Sequence, residues 1–271
     1  MNTATTTPAP NRHRWLGLAV ALTVPLSGCG NDAAQPPSAG LSTTTPTTTT
    51  PTAAARPPLS ATPAQPPTTD LFGNRLVVVG DEGRALTQNP ATRTSSSAGD
   101  YLTAAPAQMS WQRGWGGAAL PVSGSDGPAY IDHGIASGFA DTPQGAALAA
   151  CDAIARALAA PEEVWQNVIR SRFVGDTDAF IARVTRGRTR TPDAARYVTV
   201  PDGIRIRPGY RADFAVVDIA TRTRDGYTYA SWPMTYDNDW RVRLPDDIET
   251  LWQPGVPIET LAGFGQWRTT T

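Results

Sequence analysis

The sequence predicts an α+β domain in which three N-terminal helices pack on one face of a curled antiparallel sheet, behind a signal peptide and a disordered tether. Three observations lead there. Between about residues 143 and 186, apolar side chains recur at spacings of three and four, the period of half-buried helices. From residue 196 to 244 the period becomes two, that of strands. Before Leu71 neither period appears, and the chain is too poor in large apolar residues to build a core. Helices followed by a meander give a layered arrangement of one on the other.

The first element is an export signal. Arg12, His13 and Arg14 form a positive segment, and Trp15 to Pro25 is an apolar run too short to span a bilayer as a stable helix. Leu26, Ser27, Gly28 and Cys29 follow. This quartet resembles the lipobox of bacterial lipoproteins, in which small residues admit the peptidase and the thiol takes a diacylglycerol. The resemblance implies cleavage after Gly28 and an anchor on Cys29, with the bilayer as partner and an extracytoplasmic position on the cell membrane. Two acyl chains bury enough methylene to hold it, at about 0.8 kcal/mol per CH₂.

The tether spans residues 30–70, nearly all Thr, Pro, Ala, Ser and Gly. It cannot bury enough apolar surface to offset chain entropy. Its reach is about 35 Å as a coil and on the order of 120 Å as polyproline II. Stalks of this composition are often O-glycosylated, which is an expectation here. A single globular domain is expected over residues 71–271.

Within that domain, residues 75–80 read as a short strand, and residues 81–110 as an irregular connection. Asp126-Gly127-Pro128 is a turn signal. Thr142-Pro143 starts a helix, with Thr as cap and Pro in the first turn, running to about Leu158 with Ala147, Leu148, Cys151, Ile154, Ala155 and Leu158 inward. A second helix starts at Pro161 and a third covers about Thr177 to Arg186. Two short strands flank Pro201-Asp202-Gly203, and longer ones cover 211–222, 227–236 and 240–244. Pro233 suggests an edge or a bulge.

The chain has 271 residues and a formal net charge of −1, which offers no electrostatic footprint for nucleic acid. Every basic residue apart from histidine is Arg, as a GC-rich coding bias of actinobacterial type would produce. The two cysteines are Cys29 and Cys151; one lies in the processing site, so no intramolecular disulfide is expected, and Cys151 reads as a small core residue. Clustered metal ligands and phosphate-cradling loops are not apparent, so no metal or cofactor is expected. Asp237, Asn238 and Asp239 read as a turn. His133 is the one histidine left after processing, and its neighbour Asp132 should point to the opposite side of a strand. Arg183, Arg186, Arg188 and Arg190 form a local basic run near a helix end.

Two resemblances bear on kinship. Leu120–Pro128 (LPVSGSDGP), Gly138–Ala150 (GFADTPQGAALAA) and the tail Gly263-Phe264-Gly265-Gln266-Trp267 resemble uncharacterised actinobacterial lipoproteins sharing a domain of unknown function. The order of three helices and a meander ending in Trp240–Leu244 is similar to the nuclear-transport-factor-two-like cone, used outside the membrane by assembly subunits of conjugation machines. That similarity implies a cone-shaped sheet and a role in transfer or secretion.

The functional expectation is a non-enzymatic accessory or scaffold protein of the envelope with a protein partner. Trp111, Trp115, Tyr227, Tyr229 and Trp232 are the candidate contact residues, since exposed aromatic rows mark contacts. Two alternatives stand beside it: a lipoprotein that binds a small molecule or wall glycan, and a hydrolase using His133.

Overall fold

The computed structural model describes residues 65–268. Leu26, Ser27, Gly28 and Cys29, and the tether up to residue 64, lie outside the described residues.

The expected order of elements is not the observed one. The three helices lie mid-chain, between residues 143 and 190, and do not lead the domain. Ahead of them stand three small ladders: β1 (Thr68–Thr69) with β2 (Arg75–Leu76), β3 (Ser110–Arg113) with β4 (Ala119–Val122), and β5 (Tyr130–Asp132) with β6 (Ile135–Ser137). A six-stranded sheet then takes most of the remaining chain. The correction has a physical source. Residues 65–140 carry little periodicity because their order comes from distant partners. The Gln112 amide clamps the backbone of Arg84 from both sides, and Asn89 donates its backbone N–H to Gly124.

Helix α1 (Pro143–Ala159) begins where Thr142 accepts from the Gly145 N–H and Pro143 fills the first turn. It is buried on nearly every side rather than on one stripe. Its many alanines permit this, because small side chains let neighbours approach all round. Ile154 and Leu158, expected to point inward, are its half-exposed positions. Helix α2 (Glu162–Arg172) follows after Pro161, and α3 (Thr177–Arg190) is capped by Asp176.

The sheet runs β7 (Phe173–Val174), β11 (Trp240–Arg243), β10 (Gly226–Tyr236), β9 (Phe214–Thr223) and β8 (Gly203–Ile206), with β12 (Val256–Ile258) also on β10. It is not purely antiparallel, because β7 pairs parallel with β11. Residues 196–202 form no strand; one short strand follows Pro201 where two were expected. Pro233 sits between the rungs of β10 to β12 and those to β11, so its missing N–H breaks no ladder contact.

Helix α1 packs on the inner face of the sheet, made by Ile204, Ile206, Ala215, Val217, Ala230, Trp232, Met234, Trp240 and Val242. Cys151 is buried here, and burial pushes its thiol up to about 12, with Asp152 adding to the shift. The C-terminal tail closes the core. Trp267 is buried, donates its indole N–H to the Thr103 carbonyl, and accepts from the Trp111 indole through its own carbonyl.

Candidate functional site

The motif residues picked out in the sequence converge on one segment, Tyr101–Ala107. Gln144 donates to the carbonyls of Tyr101 and Ala104. Ser123 donates to the Ala107 carbonyl, and Ser125 accepts from the Ala107 N–H. Trp267 holds the Thr103 carbonyl. Asp126 is fully buried and accepts from Ser125 at 2.5 Å and from Thr142 at 2.6 Å. Thr142 thus bonds Asp126 with its hydroxyl proton and caps α1 with its oxygen. All of these polar atoms are committed to holding an irregular connection in place, and that accounts for the motifs structurally.

Beside this clamp, Tyr101 and Tyr210 meet edge to face, and Tyr210 donates to the Asp141 carbonyl. Burial, then the nearby carboxylates and phenols, raises the Tyr210 phenol well above its ordinary range. Tyr101 and Tyr236 are raised for the same first reason. Up to about pH 9 all three are neutral in folded and unfolded chains alike, so their contribution to stability is complete. As pH climbs through about 10 the unfolded chain ionises first, and stability falls. Thermal melts from pH 8 to pH 11 should therefore decline more steeply for the native sequence than for Tyr210→Phe; parallel curves would refute this.

A second polar line runs through the interior. The Arg156 Nε–H donates to both oxygens of Asp152, and both side chains are wholly inaccessible. Burial pushes the Asp152 carboxyl up, and Arg156 pulls it partly back. Arg172 bridges to Asp239 at 2.7 Å, and Asp239 also accepts from the backbone of Gly138, Phe139 and Trp240. The Asp237–Asp239 stretch turns as expected, with Asn238 at positive φ, yet Asp239 does more than turn the chain.

His133 stands at the tip of the β5–β6 hairpin. The turn, with positive φ at His133 and Gly134, breaks strand alternation. The Asp132 carboxylate therefore contacts His133 Nδ1 at 2.8 Å, contrary to the expectation of opposite sides. The two side chains are 85 % and 90 % exposed, and no hydroxyl or thiol is hydrogen-bonded to the imidazole among the described residues. Among the described residues, no group of three or more His, Cys, Asp or Glu is placed to hold a metal ion.

The aromatic set divides. Trp111 and Trp232 are buried, which closes them to a partner. Trp115 is half-buried under the Arg156 guanidinium. Tyr227 and Tyr229 lie on the outer sheet face, as their register with Arg222 and Ala220 requires, and both are half-buried. Sequence reasoning missed the arginines beside them. Asp218, fully buried in the middle of β9, accepts from Arg205, Arg207 and Ser231. Arg205 stacks on Tyr229 and on Phe264 at 5.1 and 4.2 Å. Further along, Asp202 receives both Arg222 and Arg268. Each aspartate thus holds two arginines, and each cluster keeps a positive excess. Arg243 adds another exposed cation on the same face, since its neighbour Val242 on β11 is buried on the inner one. The alternation Arg205-Ile206-Arg207 was the available signal.

The Arg183–Arg190 run also divides. Arg183 and Arg186 share Glu249. Arg188 donates to the carbonyls of Leu158 and Ala160, closing the C-terminus of α1 rather than its own helix.

The outer face of the sheet is therefore the candidate site: arginines interleaved with half-exposed aromatics on a rigid support, suited to hold an anionic surface. Comparison with curated proteins finds no match, and comparison with solved structures finds none. A family model for a domain of unknown function, DUF8175, matches residues 78–266, from just after β2 to the residue before Trp267. With most of its length covered by that match, the chain belongs to the DUF8175 family.

Proposed function

We propose that this protein is a lipid-anchored, extracytoplasmic accessory or scaffold protein of the cell envelope that works by contact rather than catalysis. Its partner would be an envelope protein presenting acidic groups to the outer sheet face. The observation that carries the reading is the arginine–aromatic face itself. Asp218 and Asp202 are each outnumbered by arginines, and Tyr229, Phe264 and Arg205 form one stack. Planar guanidinium groups beside aromatic rings favour bidentate contact with carboxylates. The link to conjugative transfer rested on a resemblance in element order alone, and no solved-structure match adds support to it.

Two measurements test the reading. The Cys29→Ser chain should leave the membrane fraction and appear in the medium; retention in the membrane would overturn the anchor. The full chain should capture an envelope protein in a pull-down. Capture should fall about tenfold for Tyr227→Ser combined with Arg243→Glu, the equivalent of about 1.4 kcal/mol. Neither side chain has a hydrogen-bond partner among the described residues, so the fold should survive the change. Equal capture by both chains would sink the outer face as the contact.

A further inference from the structure

Away from the outer face, the domain carries an apolar cleft between α1, α3 and the 3-10 turn Ile248–Trp252. Ile154 and Leu158 of α1, Phe180 and Val184 of α3, Trp232 of β10 and Trp252 of the turn form its main walls. The cleft encloses about 60 Å³. We infer that it is a binding site for a single acyl chain carrying an anionic head group.

Three features carry this. First, the walls offer an acyl chain apolar contacts and offer water few hydrogen bonds, and an apolar cavity stays dry. Second, Trp232 is 4 % exposed and its indole N–H has no hydrogen-bond partner among the described residues. An unsatisfied buried donor is costly, and a ligand oxygen within reach of it would relieve that cost. Third, the charge beside the cleft is unbalanced toward an anion. The Arg183 guanidinium stacks 4.0 Å from the centre of the Trp252 ring, and Arg183 and Arg186 share the one carboxylate of Glu249. Glu249 is itself largely exposed and belongs to the turn that covers the cleft.

These contacts couple head-group binding to opening. The turn is fastened to α3 by Glu249 on the two arginines and by the Trp252 ring, which packs against Phe180 and under Arg183. A ligand carboxylate or phosphate that takes the place of Glu249 unfastens one of these ties. The turn then lifts, and the cleft lengthens beyond the roughly 60 Å³ that it offers when closed. Ile154 and Leu158 are half-exposed on an otherwise buried helix and become the floor for the chain.

The test uses the full chain with Cys29→Ser, so that no covalent lipid competes. Dodecanoate, lysophosphatidylglycerol and neutral dodecyl maltoside are titrated separately below their micellar concentrations, with heat of binding and tryptophan fluorescence as readouts. Saturable one-to-one binding of dodecanoate assigns the site to free fatty acid. Binding of lysophosphatidylglycerol with no binding of dodecanoate assigns it to a membrane lipid. Either supports the inference. Val184→Phe, which fills the cleft, should abolish binding; if that chain does not fold, Leu251→Phe on the covering turn serves instead. Arg183→Gln with Arg186→Gln should weaken binding of the anionic ligand about tenfold. No saturable binding of either anionic ligand, unchanged binding by the filled variant, or equal affinity for dodecyl maltoside overturns the inference.

Discussion

Replacing Asp152 with alanine is expected to destabilise the domain by about 3–5 kcal/mol, the cost of leaving a buried cation without its counter-charge. The Arg156 side chain is wholly inaccessible. Without Asp152 it keeps one carbonyl contact, from its Nη1–H to Gly134 at 3.0 Å, and the face of the Trp115 ring at 5.6 Å. Its Nη2 has no hydrogen-bond partner among the described residues even with Asp152 present. For a domain of this size the loss corresponds to a fall in Tm of about 10 °C. The companion experiment separates the charge from the packing. Asp152→Leu combined with Arg156→Met removes both charges and keeps the volume, and should recover most or all of the native Tm. If the single variant loses less than about 1 kcal/mol, water reaches Arg156 and the interior is not as closed as its burial indicates. If the double variant melts no higher than the single one, packing at residue 152 dominates and the ion-pair account is wrong.

The same pair shows what could be read from the sequence. Asp152 and Arg156 stand one turn apart on α1, a spacing that ordinarily means an exposed pair on a solvated face. Local spacing cannot tell that α1 is surrounded, because burial on every side depends on alanines meeting β4, the sheet and α2. The helix ends, by contrast, were legible. Thr142 and Pro143 act through their own neighbours in the chain, and α1 begins where those residues place it. The long strands β9 and β10 were legible for the same local reason, a sustained period of two. Two-residue strands such as β7 were not, since Phe173–Val174 finds its partner on β11 about seventy residues away.

At the candidate site the division is similar. Alternation put Tyr227 and Tyr229 on one face and Trp232 on the other, and the register agrees. Asp218 looked like one polar residue within an apolar strand. Its importance arises only when β8 and β10 bring Arg205, Arg207 and Ser231 to it across the sheet. Cross-strand chemistry is not written in the local pattern of either strand.

Gly145→Ala should also be severely destabilising, although helix propensity argues the opposite sign. Position 145 lies in the first turn of α1, where alanine is ordinarily favoured over glycine by about 1 kcal/mol. Here a Cβ would stand 2.0 Å from the Ala140 carbonyl oxygen and 3.0 Å from the Ala140 nitrogen. Both are backbone atoms, and they cannot swing aside as the end of a flexible side chain can. Ala140 is fixed in turn, since its N–H donates to the Asp126 carbonyl and its own carbonyl accepts from the Trp240 indole. Relief must therefore come from moving α1 against the buried loop at Ser123–Gly127, at a cost of about 3 kcal/mol, the upper end of the usual overpacking range. Gly187 supplies the internal contrast. It lies within α3 with open space around it, the nearest atom being the far end of Arg183 at 4.0 Å. Gly187→Ala should stabilise by about 0.5–1 kcal/mol. Chemical denaturation of the two variants should thus shift the midpoint in opposite directions. Two stabilising shifts would mean that α1 can slide away from Ala140, and that the contact holding the TPQGA segment against the loop before it is looser than its geometry requires.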